Sequence, residues 1–202
     1  MLLKMQINKV FKVGITGGIG SGKSIVSRAL KNMGYPIYDS DFWAKKLMNE
    51  DKEIRDLLTQ RFGNEVYTDF GLNRSFLAQQ IFNNKENLTF VNSVVHPTVC
   101  KHFIWWTEQQ SSNVVFIESA ILFSSGFDKF VDKVIFVDAP QDLRLKRATA
   151  RDNASAEAVM ARIKNQTEGD EYSRTHSDFI IQNDDKTLII TQILSVLKEI
   201  NG

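Results

Sequence analysis

The segment Gly17–Ser24, which reads GGIGSGKS, constrains the fold of this chain more than any other feature of its sequence. It matches the pattern GxxxxGK[ST] at every fixed position, between an apolar run and an amphipathic segment. Glycines let the backbone curl so that successive N–H groups point into one concavity, which binds phosphate oxygens. A helix that starts there adds unsatisfied N–H groups and the positive end of its dipole. The alternative is a glycine-rich turn with an incidental lysine.

The rest of the chain predicts an α/β fold around this phosphate-binding loop (P-loop). Short apolar runs predict buried strands, and amphipathic stretches such as 25–33 and 186–200 predict helices between them. The predicted strands are 10–16, 36–39, 114–119, 133–138 and 179–181. Near-continuous apolar strands that alternate with helices indicate a parallel sheet covered on both faces. We therefore expect a P-loop NTPase-type parallel sheet flanked by helices.

Two stretches interrupt this alternation. Residues 42–112 show helical periodicity and no convincing central strand, so they predict a mainly helical insertion. Residues 141–177 are also helical and dense in Arg and Lys, and we interpret them as a lid. The nucleotide-binding core then comprises 1–41, 113–140 and 178–202. A chain of 202 residues is long enough for one core domain with such insertions.

Charge and cysteine content narrow the class of protein. The chain has 25 Lys+Arg and 24 Asp+Glu, and this balance gives no general electrostatic case for a nucleic-acid or membrane partner. Cys100 is the single cysteine, so neither an internal disulfide nor a Cys-rich zinc site is expected, which favours a reducing compartment. Residues 1–6 show no signal-cleavage pattern, and no apolar run approaches the roughly 18 residues that span a bilayer. We expect a cytoplasmic protein.

The motif assigns roles to individual residues. Backbone N–H groups would hold ATP phosphates, Lys23 would reach the β- and γ-phosphates, and the Ser24 hydroxyl would bind Mg²⁺. The expected ATP-binding residues of this segment are Gly18, Ile19, Gly20, Ser21, Gly22, Lys23, Ser24 and Ile25. The Asn-Lys-x-Asp sequence of a guanine-reading GTPase is missing, and the chain is too short for a mechanical ATPase.

Asp41 is a candidate general base. It follows the second predicted strand, and ligands of open parallel sheets collect outside the carboxyl ends of the strands. A carboxylate there can take the proton of an acceptor hydroxyl that attacks the γ-phosphate. Asp41 also fits the N-cap of a helix that starts at Phe42, because Asp is a favoured cap. The two roles are compatible.

Arg144, Arg147 and Arg151 fall on one stripe of a predicted helix, with Lys146 beside them. Next to a triphosphate, these guanidinium groups would bind its oxygens and stabilise charge in the transition state. As part of a mobile lid they would also exclude water. Without a nucleotide site the same stripe would be a solvated helix face. The P-loop motif favours the lid.

Taken together, these motifs resemble the dephospho-coenzyme A kinase family along nearly the whole chain. The matching segments include VGITGGIGSGKS at 13–24, IYDSD at 37–41, LNR at 72–74, VVHP at 94–97, LKRATARD at 145–152 and SDFIIQN at 177–183. The resemblance implies transfer of the ATP γ-phosphoryl group to the ribose 3′-hydroxyl of dephospho-CoA, with Mg²⁺, as the last step of coenzyme A biosynthesis. It also implies that the helical insertion binds the acceptor. We expect a monomer or weak homo-oligomer.

The resemblance further implies roles for single residues. Asp41 falls at the position of the catalytic base and Arg147 at that of the lid arginine, so Asp41, Lys23 and Arg147 form the expected catalytic set. Arg147 and Arg151 join the ATP-binding residues. The expected acceptor-binding residues are Asp41, Arg74 and His96. His96 also fits a helix-capping or packed histidine.

One segment departs from the family pattern. Residues 120–124 read AILFS, where the family often has a Pro-Leu-Leu-Phe-Glu type sequence. Glu118 then fits either a water-mediated Mg²⁺ partner or an ion pair with a lid arginine. Trp105 and Trp106 are expected in the core, although stacking on adenine is the alternative. Two other functions stay open: a P-loop kinase of another small acceptor such as a nucleoside monophosphate, or a low-turnover nucleotide-binding regulatory module.

Overall fold

A computed structural model describes residues 9–201, so the prediction made for residues 1–6 lies outside the described part of the chain. Contacts divide the chain into two compact units. Met1–Tyr38 and Thr107–Gly202 together form the first, which we call the sheet unit. Asp39–Trp106 form the second, which we call the helical unit.

Between residues 9 and 201 the chain forms seven strands and eight α-helices. The strands are β1 Phe11–Thr16, β2 Ile37–Asp39, β3 Tyr67–Thr68, β4 Gly71–Leu72, β5 Val114–Glu118, β6 Lys133–Asp138 and β7 Phe179–Gln182. The helices are α1 Lys23–Asn32, α2 Ser40–Glu50, α3 Lys52–Phe62, α4 Arg74–Phe82, α5 Lys85–Glu108, α6 Gln141–Asp152, α7 Ala156–Thr175 and α8 Ile189–Asn201.

Five strands build the central sheet, in the order β2-β5-β1-β6-β7. β1 pairs in parallel with β5 and β6, so that Val13 lies opposite Phe116 on one side and Lys133 on the other. β7 continues the sheet by parallel pairing with β6. Helices α1 and α8 pack against the buried strand side chains through residues such as Val26 and Ile193. This architecture is the predicted P-loop NTPase-type sheet flanked by helices.

Most predicted elements lie within three residues of their observed bounds. α1 begins at Lys23 rather than at residue 25, because the glycine-rich loop leads directly into the helix. α8 begins at Ile189, three residues after its predicted start. The reason is a local turn, in which the Asp184 carboxylate accepts the backbone N–H groups of Lys186 and Thr187 at 3.0 and 2.8 Å. Such a side-chain bond competes with helix formation.

The helical unit contains α2, α3, α4 and α5 up to residue 106. The side chains of Asp39, Asp51 and Asn73 cap the first three of these helices. Ile54 and Leu58 of α3 are fully buried. The short antiparallel pair β3–β4 also lies here, and the sequence pattern did not predict it because each strand has only two residues.

Helix α5 has 24 residues and contains Pro97. Proline lacks an N–H group, so one bond of the helical ladder is lost at this point. One residue later, the Thr98 hydroxyl donates to the Val94 carbonyl oxygen at 3.1 Å. Across residues 9–201, neither α5 nor another helix combines the length and apolar character needed to cross a membrane.

Candidate active site

The P-loop connects β1 to α1, as its motif predicts. Gly20 and Gly22 have φ angles of 75° and 95°, in the left-handed region that residues with a side chain rarely adopt. Gly22 is also the N-cap of α1, which has no side-chain cap. A helix that starts in this way presents N–H groups and the positive end of its dipole to an anion.

Neighbouring elements fix the shape of this loop from outside. A Cβ atom on Gly20 would collide with the backbone oxygen of Arg144 in α6 and would lie 2.9 Å from its Cα. One on Gly22 would collide with the amide nitrogen of Asn183, just after β7. Asn183 is buried, and its Nδ2 donates to the Ser21 carbonyl oxygen at 2.7 Å. The loop backbone is therefore held by contacts from α6 and from the segment after β7.

Asn183 is a residue whose importance the sequence analysis missed. The available signal was its position: Asn183 is a polar residue directly after the last strand of the sheet, β7, which reads FIIQ. Its backbone oxygen also accepts a hydrogen bond from Arg147 Nη1 at 3.0 Å. One buried asparagine thus connects the P-loop to an arginine of α6.

Lys23 lies at the first position of α1, and its side chain turns back over the loop. Its Nζ donates to the carbonyl oxygens of Gly17 at 2.6 Å and Gly18 at 3.1 Å. A lysine ammonium is a compact charge with three donors on a flexible stem, so it can exchange these carbonyls for phosphate oxygens. This position suits the role predicted for Lys23.

The residues present fit a magnesium ion that is held mainly by a nucleotide. Ser24 is exposed in the first turn of α1 and offers a hydroxyl oxygen, a ligand type that Mg²⁺ accepts. Within residues 9–201, no group of three or more His, Cys, Asp or Glu could hold a metal ion. Mg²⁺ in such sites keeps water and phosphate ligands. Glu118 ends β5 opposite Ile15 of β1, and its predicted roles stay predictions.

Two arginines of the predicted stripe have different partners. Arg144 Nε donates to the Ile19 carbonyl oxygen at 2.9 Å, and its Nη2 pairs with Asp170 at 2.6 Å. Arg147 pairs instead with the Asp185 carboxylate and with the backbone of Asn183. Arg144 therefore acts on the loop backbone, whereas Arg147 is held beside the end of β7.

The third arginine, Arg151, lies at the end of α6. Its Nε pairs with Asp152 at 2.7 Å, and Arg162 of α7 pairs with the same carboxylate at 2.8 Å. Hydrogen bonds from these two guanidinium groups lower the pKa of Asp152 to about 2. The ATP-binding role of Arg151 stays a prediction, and in this structure Arg151 shares the Asp152 carboxylate with Arg162.

In the helical unit, Asp41 is exposed in the first turn of α2. The cap of this helix is Asp39, whose carboxylate accepts the Phe42 N–H at 2.9 Å. The alternative prediction that Asp41 is the cap is therefore wrong, because the helix begins two residues earlier than expected. Among residues 9–201, the side chain of Asp41 has no hydrogen-bond or ion-pair partner. Its carboxylate is available to a ligand.

The other two residues predicted to bind the acceptor differ from each other. Arg74 is the exposed first residue of α4, and it has no partner in the described part of the chain. His96 lies inside α5, directly before Pro97, so it is not a helix cap. Burial lowers the pKa of His96 below its ordinary 6.5, which favours the neutral imidazole near pH 7. In that form it can donate or accept a hydrogen bond.

The tryptophans of α5 do not both lie in the core. Trp105 is 54% exposed, so the expectation that it is buried is wrong. It lies 5.3 Å from His102, whose ring lies 4.2 Å from that of Trp43. Trp106 is half-buried and stacks on Phe103 at 6.3 Å. The helical spacing revealed an aromatic face but not whether it was covered.

A cavity of about 430 Å³ lies in the sheet unit, between the segment after β5 and α7. The segment that departs from the family pattern, 120–124, lines one wall. Gln166 and Asp170, which contact Ile19 and Arg144 respectively, belong to the opposite wall. The cavity therefore borders the side chains that touch the P-loop.

A sequence model of the dephospho-CoA kinase family matches residues 11–188. This chain belongs to the dephospho-CoA kinase family. One relative in the family, the dephospho-CoA kinase of Porphyromonas gingivalis, is 42% identical over 188 residues, which cover 93% of each chain. Membership makes the chain an ATP-dependent kinase, and it gives no support to the alternative of a regulatory module.

Solved structures agree with the family assignment. A protein from Thermus thermophilus is 31% identical and has a TM-score of 0.81, with 95% of this chain and 98% of that chain covered. The dephospho-CoA kinase from Campylobacter jejuni is 26% identical and has a TM-score of 0.65, with coverage of 94% and 96%. The fold described above is thus that of the dephospho-CoA kinase family.

Proposed function

We propose that this chain transfers the γ-phosphoryl group of ATP to the ribose 3′-hydroxyl of dephospho-CoA, forming CoA and ADP. Family membership carries this proposal, because the motif alone specifies a triphosphate and not the acceptor. The reaction is the last step of coenzyme A biosynthesis, and we place it in the cytoplasm.

On the donor side, we assign the ATP phosphates to the P-loop backbone and to Lys23. Ser24 would hold Mg²⁺, which neutralises charge on the phosphates when it is bound. Arg147 would bind the oxygens of the transferring group, and Arg151 would assist it. The support is the position of Lys23 over the loop and the tie between Arg147 and Asn183.

On the acceptor side, we assign the general base to Asp41. The hydroxyl oxygen forms a bond to the γ-phosphorus while its proton moves to the Asp41 carboxylate, and the bond to the β,γ-bridging oxygen breaks to release ADP. Three observations support this role. Asp41 is exposed, it has no partner within residues 9–201, and helix capping is the task of Asp39.

Arg74 and His96 complete the proposed acceptor set. Arg74 is exposed and forms no ion pair within the described residues, so its guanidinium can bind a phosphate of dephospho-CoA. The neutral form of His96 is favoured near pH 7 and would contribute only a hydrogen bond or packing. We therefore expect Arg74 to contribute more to acceptor affinity than His96.

An acceptor screen tests the choice of substrate. ADP release is measured with dephospho-CoA, AMP, CMP, UMP and shikimate at equal concentrations. Turnover with dephospho-CoA alone is expected. Faster turnover with one of the other acceptors would assign the chain a different substrate.

Asp41→Asn tests the general base. We expect kcat to fall by about 10²–10⁴, the usual contribution of a positioned base, with ADP affinity unchanged. Asp39→Asn is a matched control two residues away, because Asn caps a helix as well as Asp does. A normal rate in Asp41→Asn would remove this carboxylate from the mechanism.

A further inference from the structure

Ile19, in the middle of the P-loop, has both its backbone N–H and its backbone carbonyl bound by side chains of the sheet unit. Its N–H donates to Gln166 Oε1 of α7 at 3.3 Å. Its carbonyl oxygen accepts from Arg144 Nε of α6 at 2.9 Å. Side chains from two helices thus hold the two peptide units on either side of the Ile19 Cα.

Arg144 is itself held in one orientation. Its Nη2 donates to Asp170 at 2.6 Å, and the two side chains are only 12% and 19% exposed. Asp170 lies one helical turn after Gln166, so both project from the same face of α7. Arg147 also pairs with a carboxylate, but its partner Asp185 is 64% exposed, whereas the partner of Arg144 is largely buried and Arg144 Nε binds the loop itself. We therefore assign Arg144 to the loop and not to the phosphates.

Apolar contacts reinforce these polar ones. The Ile19 side chain packs against a small buried cluster formed by Ala148 of α6 with Val159 and Ile163 of α7. All three cluster residues are at most 2% exposed. Ile19 is therefore anchored to α6 and α7 by its side chain as well as by its backbone N–H and carbonyl groups.

The loop needs such anchoring because glycines flank Ile19 on both sides. Gly18 and Gly20 impose few limits on φ and ψ, so the local sequence alone does not fix the direction of the N–H groups. Fixing these dihedral angles before ligand arrives reduces the entropy lost on binding. External contacts at Ile19 are in the right place to do this.

We propose that Arg144, Gln166 and Asp170 are positioning residues that hold the P-loop in the shape that binds the nucleotide phosphates. The proposal rests on the proposed function only in taking an adenine nucleotide as the ligand. In this proposal Arg144 binds the Ile19 carbonyl oxygen of the loop, whereas Arg147 and Arg151 bind the nucleotide itself.

Arg144→Lys separates this role from a merely structural ion pair. Lysine keeps the charge beside Asp170, but it lacks the rigid fork that reaches a carboxylate and a carbonyl oxygen together. We expect ADP affinity, measured by calorimetry, to fall by about tenfold, as for loss of a hydrogen bond from a charged donor. The KM for ATP should rise in parallel, with the KM for dephospho-CoA and the melting temperature nearly unchanged.

The matched control is Arg162→Lys. Arg162 also joins α7 to α6, through Asp152, but it does not contact the P-loop. Its ADP affinity should equal that of the original chain. Equal losses in both variants, or no loss in Arg144→Lys, would overturn the proposal.

Asp170→Asn is a second variant that keeps the test informative if Arg144→Lys folds poorly. It retains an acceptor for Arg144 without the charge, so we expect a smaller loss of ADP affinity in the same direction. An unchanged affinity would count against the proposal. ADP binding needs no acceptor, so this test stands even if the acceptor screen excludes dephospho-CoA.

Discussion

The predicted functional side chains of the two units differ in how they are held. In the sheet unit, Arg144, Arg147 and Arg151 each have a carboxylate partner. In the helical unit, Asp41 and Arg74 are exposed and have no partner within residues 9–201. A side chain held in advance loses little entropy when ligand binds, whereas an unpaired one must be ordered at that step. Substitutions in the sheet unit should therefore disturb nucleotide binding, and those in the helical unit should disturb acceptor use alone.

Lys23→Met should give the largest effect on the sheet-unit side of this comparison. It removes a positive charge from the place where charge develops, and we expect kcat to fall by roughly a thousandfold, with weaker ADP binding. Lys31→Met is the control, because Lys31 is exposed in the last turn of the same helix. Turnover near that of the original chain in Lys23→Met would contradict the assigned role.

Arg74→Gln should give a smaller effect, confined to the acceptor. Loss of a charge-assisted bond to phosphate should raise the KM for dephospho-CoA about tenfold, while the KM for ATP stays constant. Arg61→Gln is the control, since Arg61 of the same unit already pairs with Glu86 at 2.6 Å. An equal rise in both KM values for Arg74→Gln would contradict the claim that the helical unit affects acceptor use alone.

Acid should weaken the helical unit in a predictable direction. Burial lowers the pKa of His96, and burial together with the charge of Lys46 lowers that of His102, in each case from 6.5. Below pH 6.5 the unfolded chain binds more protons than the folded one, so stability falls as pH drops from 6.5 towards the lowered pKa values. His96→Gln should make this fall shallower.

Tryptophan emission during urea unfolding measures this effect. The chain has three tryptophans, and Trp43, Trp105 and Trp106 all lie in the helical unit. The urea midpoint should decrease on acidification through pH 6.5. A midpoint that rises on acidification would show that the two histidines do not behave as described.

The smallest expected effect concerns the reactivity of the Cys100 thiol, which is measured by chemical labelling and not by enzyme activity. Burial raises the pKa of this thiol to about 11, and the thiolate is the form that reacts. At about pH 8, iodoacetamide should label the native chain slowly and the guanidinium-denatured chain fast. Rapid labelling of the native chain would mean that the interior of the helical unit opens readily.

The sequence predicted the parts of the molecule that local patterns determine. The P-loop follows from fixed spacing, and the central strands follow from apolar runs that only a covered parallel sheet can bury. The cap of α2 was predicted wrongly, because Asp41 suits a cap for a helix that starts at Phe42, whereas α2 starts at Ser40 and is capped by Asp39. Only the observed start of α2 separates them.

The remaining features depend on partners that are distant in sequence. Arg144, Arg147 and Arg151 have the same helical spacing, yet their partners are Asp170, Asp185 and Asp152 respectively. Periodicity shows that side chains share a face, but it does not show what that face meets. For the same reason, the contacts of Asn183 with Ser21 and Arg147 could not be predicted from the sequence.

The close packing around Gly20 and Gly22 limits how an enzyme of this kind can diversify. Even one methyl group at either position would collide with Arg144 or Asn183. A single substitution of either glycine is therefore unfavourable unless its neighbour changes too. By contrast, Ala120, Ile121 and Ser124 are exposed and line the cavity, so larger side chains at these three positions would extend into open space. Natural variation should therefore concentrate at these three positions, while the P-loop keeps its glycines.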